Sequence, residues 1–460
     1  MIICPGCGAG MRFDIASQML KCDFCGQTSS VSQAAVGKEA RQSEMELNAF
    51  VCPQCAGTIY STDDQATSFC LFCGASVELE GRMTNTLRPT HIIPFKKTKE
   101  ECKQIYGSLT KKAFFAPKEL KDPEFLDRFQ GIYLPFWTYH FTQNGTVSLQ
   151  GERETANYTE VLNLSCQLSS DYDALSYDAS SAFNDELCSC IVPYNSESIE
   201  DFNPAYLSGF YADIADVPSE LYVEDAEDQV NRQTEKQIRS NFSGVSIKWP
   251  GDKSRAYHTQ FEGASPAMFP VWFLTWRKGD RVAYAVVNGE TGRLAADLPI
   301  DKGRFLTGTL LMAIPIFLLL LSFPVITPGL LIVIASLLSL LTLVIYFINS
   351  SQLGSREQRK KDKGFQYRLL SHPEAASVMT ERKPEKLGVG AAIFPFAGMI
   401  AGIFIRFLNP VSDLYYYGGT MLILVCCLLC LLHLVNRFNY VVTRPIPEFH
   451  DREGGDPDER

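Results

Sequence analysis

The chain has 460 residues, enough for two or three domains. Its net charge of −10 excludes a molecule built as a whole to attract nucleic acid. Fifteen cysteines would suit a disulfide-rich secreted protein, but eight form two ordered quartets near the N-terminus and three fall in the last apolar stretch, which fits metal sites in a reducing compartment.

The start of the chain, Met1-Ile2-Ile3 followed by Cys4-Pro5, does not read as a signal peptide. Cys4-Pro5-Gly6-Cys7 and Cys22-Asp23-Phe24-Cys25 enclose 14 residues, and so do Cys52-Pro53-Gln54-Cys55 and Cys70-Leu71-Phe72-Cys73, 48 positions later. A Cys-x-x-Cys turn sets two thiolates on one side of a tetrahedral ion. Gly8, Gly26 and Gly74 follow three of these turns and let the backbone close round the sulfurs. The pattern predicts two tandem zinc ribbons, over 1–30 and 51–80, joined by a linker over 31–50 with a helical run near 38–47. One Zn²⁺ is expected on Cys4, Cys7, Cys22 and Cys25, and a second on Cys52, Cys55, Cys70 and Cys73. Four sulfurs fill each ion, so both sites are expected to be structural rather than catalytic. Arg12 and Lys21 are the basic residues between Cys4 and Cys25, and there are none between Cys52 and Cys73, which favours a protein partner over nucleic acid.

Residues 88–300 predict a cytosolic α+β domain with an antiparallel sheet. Residues 98–114 carry Cys102, Ile105, Tyr106, Leu109 and Ala113 on one helical stripe, ended by Pro117. Gly131 to Trp137 opens a strand, Asn144-Gly145 signals a hairpin turn, and 146–150 is the predicted return strand. Met268 to Trp272 opens another strand, which turns at Lys278-Gly279-Asp280 and returns over 282–287. The two Pro-x-Trp segments predict paired strands of one sheet, with their aromatics in the core rather than lining a ligand pocket. From Gly151 to Asp228 there are 18 acidic residues and one basic residue, read as a solvated face. Within it, 219–242 reads as a helix, acidic early and basic late. Cys188 and Cys190 lie in a strand-like run and read as a buried pair on opposite faces, not as a redox or metal pair.

No Asp, Glu, Lys or Arg occurs from Phe305 to Ser355. A bilayer core of about 30 Å needs about 20 apolar helical residues. Residues 305–326 and 330–348 supply two crossings joined at Thr327-Pro328-Gly329, and 387–405 and 414–436 supply two more, so a four-helix transmembrane region is expected. The loop over 349–386 holds nine Lys and Arg residues, which places it and both termini in the cytoplasm. With no ionisable group near mid-membrane, anchoring is favoured over a channel or transporter. Gly398 and Gly402 form a small-xxx-small pair suited to tight helix contact, within the bundle or between subunits of a homo-oligomer. Cys426, Cys427 and Cys430 read as apolar filler. The tail over 444–460 reads as disordered.

Several ordered motifs remain. They are the paired ribbons, His91-Ile92-Ile93-Pro94-Phe95-Lys96, Gly131-Ile132-Tyr133-Leu134-Pro135-Phe136-Trp137, Ala205-Tyr206-Leu207-Ser208-Gly209-Phe210-Tyr211-Ala212-Asp213, and Asn288-Gly289-Glu290-Thr291-Gly292-Arg293, with membrane helices last. In this order they resemble bacterial TFIIB-type zinc-ribbon-containing integral membrane proteins. Members are sometimes labelled primosomal helicases, but no G-x-x-x-x-G-K-[ST] phosphate loop occurs in this chain. The resemblance implies zinc on the eight ribbon cysteines, no catalytic residue, and residence in the bacterial plasma membrane. It also implies contact with membrane lipid and with a cytosolic protein partner of the flotillin-like (SPFH) or phage-shock type. The expected function is a non-enzymatic anchor or scaffold in membrane-stress response; a membrane-tethered nucleic-acid binder and a small channel are the alternatives.

Overall fold

A computed structural model of the chain describes residues 2–34, 44–62, 69–76, 81–183, 185–320, 327–357, 363–371 and 389–446. Its centre is a pair of long antiparallel strands, β1 (Gln130–Glu154) and β3 (Thr259–Lys278), with Tyr133 opposite Pro270. β2 (Thr159–Asp178) pairs with the other side of β1, and β4 (Arg281–Asn288) returns from β3 through Gly279-Asp280 as the sequence predicts.

The expected turn at Asn144-Gly145 does not form. β1 runs through it, with Asn144 opposite Ser169 and Gly145 opposite Leu168. Asn-Gly permits a tight turn but does not compel one. Here Val147 and Leu149 are buried while Ser148 and Gln150 are exposed, and that alternation continues the strand. The chain turns instead at 155–158, where the Thr155 N–H and hydroxyl both donate to the Tyr158 carbonyl, at 3.0 and 2.6 Å. Helix α3 (Val223–Asn241) lies along the long hairpin, burying Ala226, Val230 and Ile238 against Tyr139, Tyr172 and Leu164.

Side chains alternate across a strand, so residue parity separates the two faces of the sheet. Met268, Trp272, Leu274 and Trp276 face one core, which holds Met11, Phe13 and Leu20 of the first Cys4 unit and Cys102 and Tyr106 of helix α1 (Lys99–Lys112). Ala267, Phe269, Val271 and Phe273 face the other, with Phe50, Ile59, Leu71 and Phe72 of the second unit and Leu187 and Ile191 of helix α2 (Asp185–Ile191). Helix α1 starts where the sequence places it, on a Thr98 capping box with Glu101.

The second Cys4 unit is part of the sheet itself. Tyr211–Ala212 pairs parallel with Ile132–Tyr133 and antiparallel with Tyr60–Ser61, and Glu44–Val51 and Gly81–Leu87 continue from there. The linker helix expected near 38–47 is therefore overruled over 44–47, which is strand, because Met45 and Leu47 alternate inward. Residues 35–43 lie outside the described residues. Cys188 and Cys190 lie on α2 rather than on a strand, with Cys188 buried and Cys190 exposed; Asp185 and Glu186 occupy its first turn.

Among the described residues, the C-terminal third holds three helices long and apolar enough to cross a membrane: Pro328–Leu353, Gly390–Leu408 and Asp413–Val442. They lie in helices α5 (Pro328–Glu357), α7 (Ile393–Leu408, after a short 3-10 turn) and α8 (Asp413–Val442). The expected first crossing begins in α4 (Lys302–Leu320), with Leu310, Leu311, Met312 and Leu318 exposed; 321–326 lie outside the described residues. Gly398 and Gly402 are spent inside the bundle. A Cβ on Gly398 would lie 3.4 Å from the Ile423 backbone, and one on Gly402 only 2.3 Å from Ser336 Oγ. The loop expected over 349–386 is partly helical: α5 runs to Glu357, and α6 covers Lys363–Ser371. Nor is the tail wholly irregular. Arg444–Pro445 pairs with Arg281 and Val282, since a proline at a sheet edge need not donate; 447–460 lie outside the described residues.

Four of the sequence motifs meet at Phe95. Its ring stacks on Phe210 at 4.4 Å and meets Tyr133 and Trp272 edge-on at 5.0 and 5.3 Å. A Cβ on Gly131 would strike Phe210 at 2.5 Å, and one on Gly289 would strike Phe95 at 2.6 Å. These glycines are fixed by close approach, and the aromatics fill the core as expected. Phe95→Ala should therefore lower unfolding stability by about 3–5 kcal/mol in denaturant titration of the detergent-solubilised chain; a loss under about 1 kcal/mol would mean the knot is not a core.

Candidate metal centres

Each Cys-x-x-Cys turn closes in the same way. The N–H of the residue after the second cysteine donates to the carbonyl of the first: Gly8 to Cys4, Gly26 to Cys22, Ala56 to Cys52 and Gly74 to Cys70, at 2.8–2.9 Å. The first cysteine's own N–H donates to the residue five positions on: Ala9, Gln27, Gly57 and Ala75, at 2.7–2.9 Å. The closing residue takes a left-handed backbone each time, with φ of 75°, 76°, 55° and 67°. Glycine adopts this freely, whereas Ala56 carries a Cβ into it.

The turns pair to bring four sulfurs together. Cys4 Sγ lies 3.6 Å from Cys25 Sγ, and Cys7 Sγ 3.5 Å from Cys22 Sγ. In the second unit Cys52 to Cys73 is 3.8 Å and Cys55 to Cys70 is 3.7 Å. All four sulfurs of each group lie within 4.8 Å of one another, so each group could hold a metal ion. Thiolates at about 2.3 Å from a tetrahedral ion stand about 3.8 Å apart, and the donor sets fit that figure. All eight cysteines singled out in the sequence are thus brought together, in the expected two groups.

The two sites differ in burial. Cys4 and Cys22 are buried but Cys7 and Cys25 are exposed, whereas all four of the second group are buried. The second group sits under the sheet. Tyr284 donates to the Phe72 carbonyl at 2.7 Å, Gln130 to Phe69 at 3.3 Å, and Arg277 to Gln54 Oε1 at 2.8 Å. The first unit is held through its strands: Phe13 N–H donates to Ser208 at 3.0 Å and Gln18 Nε2 to the Phe95 carbonyl at 2.8 Å. Electrostatics favour thiolate at Cys22, whose value falls to about 7 because the Cys25 backbone N–H hydrogen-bonds it. In the buried group, hydrogen bonding from Cys55 holds the Cys52 thiol low, and Cys52 in turn pushes Cys55 up.

A third cluster had no sequence signal. His140, Asp171 and Asp173 converge where register irregularities in β2 and β3 flank β1. The imidazole Nδ1 hydrogen-bonds Asp173, and Nε2 lies 3.5 Å from Asp171. Both ring nitrogens are engaged by carboxylates, so the group closes as an ion-pair clamp. Another residue beyond the sequence reading is Arg437, buried on α8 with its guanidinium on Ser350 Oγ.

The chain is 27% identical over 312 residues to a protein of Bacillus subtilis (strain 168) described as "Uncharacterized protein YdjG". The alignment spans 65% of this chain and 90% of that protein. No family model matches the chain. No solved structure matches it.

Two outcomes follow from this geometry. Ala56→Gly relieves a left-handed alanine and should raise stability by about 0.5–1 kcal/mol in the same titration; a loss would contradict the strained turn. His140 is raised above its ordinary value, first by its hydrogen bond to Asp173 and then by the charges of Asp173, Asp171 and Glu262. Its contribution is therefore full below the unfolded value of about 6.5 and is lost as pH climbs through the raised folded value. His140→Gln should lower Tm by about 1–2 °C near pH 6, a modest effect for a partly exposed pair, and by nothing near pH 9. An equal shift at both pH values would rule out the charged clamp.

Proposed function

We propose that the chain is a non-enzymatic, four-pass membrane anchor of the TFIIB-type zinc-ribbon kind. In this reading Zn²⁺ occupies both cysteine groups, and the ribbons and sheet domain form a cytoplasmic platform for a protein assembly on the bacterial plasma membrane.

One observation carries the topology: the membrane segment is tied to the sheet domain at three stations. It leaves at Ile300, whose N–H and carbonyl bond the Asn439 side chain near the end of α8, each at 2.7 Å. It returns where Arg281 donates to Thr443 Oγ1 at 2.7 Å and Arg444 lies 3.3 Å from Asp297. Midway, the N–H of Lys363 on α6 donates to Asp185 at 2.8 Å, and its ammonium pairs with Asp225. A chain that starts, pauses and ends on one side of a bilayer crosses it an even number of times. In this reading α5, α7 and α8 supply three crossings and α4 the fourth. The sequence over 349–386 carries nine basic residues, and positive-inside retention makes the side of that loop, and with it the sheet side, cytoplasmic in this reading.

The burial difference supports a docking role for the first unit. The second Cys4 unit is walled into the sheet, so its ion serves the fold. The first presents Cys7, Cys25 and the knuckle residue Phe24, which is 86% exposed. An exposed aromatic on a metal-stiffened turn is a ready anchor for a protein partner. Phe24→Ser should remove partners from a pull-down of the detergent-solubilised chain while metal content stays unchanged. Identical partner sets for the two proteins would count against the first ribbon as the docking element.

A further inference from the structure

The loop after α1 lies against the start of α4. Phe115 meets Phe305 edge-on at 5.5 Å, its carbonyl accepts the Asp301 N–H at 2.7 Å, and Arg304 donates to the Ala116 carbonyl at 2.5 Å. A Cβ on Gly308 would stand 2.7 Å from the Phe115 ring. Phe305 begins the charge-free run, and Gly308 lies about 4.5 Å further along the helix axis. Phe115 is therefore fixed at the level where an inserted α4 passes from headgroups into hydrocarbon. The next residue back, Phe114, is 77% exposed.

Basic residues ring this loop. Lys111 and Lys112 end α1, Lys118 follows Pro117, Lys302 opens α4, and all four are exposed. No acidic residue occurs between Lys111 and Lys118, and among the described residues Lys111, Lys112 and Lys118 have no ion-pair partner. Such a cluster stands out in a chain of net charge −10.

We propose that the 111–118 loop is an interfacial anchor that seats the sheet domain on an anionic phospholipid surface. Phe114 enters the boundary of the acyl chains, and Lys111, Lys112 and Lys118 meet the phosphates of the cytoplasmic leaflet. The occupant follows from position: the loop is hydrogen-bonded to the first turn of a helix that enters the bilayer, and its charge complements anionic headgroups. This rests on the membrane reading above.

The full chain would be placed in nanodiscs of phosphatidylcholine alone and of phosphatidylcholine mixed equally with phosphatidylglycerol, and amide exchange followed by mass spectrometry. Exchange over 111–121 should be at least about fivefold slower in the anionic discs. Replacing Lys111, Lys112 and Lys118 together by Gln should abolish that difference, and Phe114→Ser should speed exchange in both discs. Unchanged exchange in β1 and β3 would certify that the variants are folded. Equal exchange of the loop in the two discs, or a lipid-dependent difference that survives the triple substitution, overturns the anchor while leaving the membrane reading intact. Failure of the chain to enter discs at all overturns both.

Discussion

The central strands carry bulky side chains on both faces, and that constraint organises the rest. Antiparallel sheets commonly leave one face to water. Here β3 runs Met268-Phe269-Pro270-Val271-Trp272-Phe273-Leu274 without a polar residue, every one of these is buried, and the Pro270 carbonyl accepts from the Tyr194 hydroxyl and the Gly289 N–H. Both faces need a cover. Two Cys4 units, too small to bury much surface alone, supply much of it, one on each side. Metal binding and sheet packing would thus be linked: an ion in either cysteine group would stiffen a cover, and each cover excludes water from one face.

The same sheet anchors the membrane segment. β4 pairs with Arg444–Pro445 just beyond α8, and Arg281 at the start of β4 binds the last carbonyls of that helix. The guanidinium also sits 4.3 Å from the Tyr440 ring centre. A cation at a helix C-terminus is favoured by the orphan carbonyls there. The helix end is thereby joined to the sheet by side-chain and backbone bonds rather than left on a flexible tether.

What the sequence made legible was what local chemistry decides. The Cys-x-x-Cys spacing identified all eight thiols, because four sulfurs and a tight turn admit few arrangements. The charge-free runs marked the helices of the membrane segment, and Gly279-Asp280 marked a real turn. What escaped was decided at long range. Tyr211–Ala212 is a two-residue strand that joins the second Cys4 unit to β1, too short to carry a periodic signal. Asn144-Gly145 is turn-capable, but its surroundings keep it extended. Asp185–Ile191 holds Leu187 and Ile191 one helical turn apart, a spacing easily lost in a helix of only seven residues. The His140 clamp depends on strand irregularities that bring Asp171 and Asp173 beside it, and nothing local announces them.

The most direct test is metal content together with amide exchange in the central strands before and after chelation. Two Zn²⁺ per chain are expected. Stripping both should speed exchange in β1 and β3 by about a hundredfold or more, as the covers loosen from both faces. A sheet that keeps its protection after both ions are gone would contradict the account.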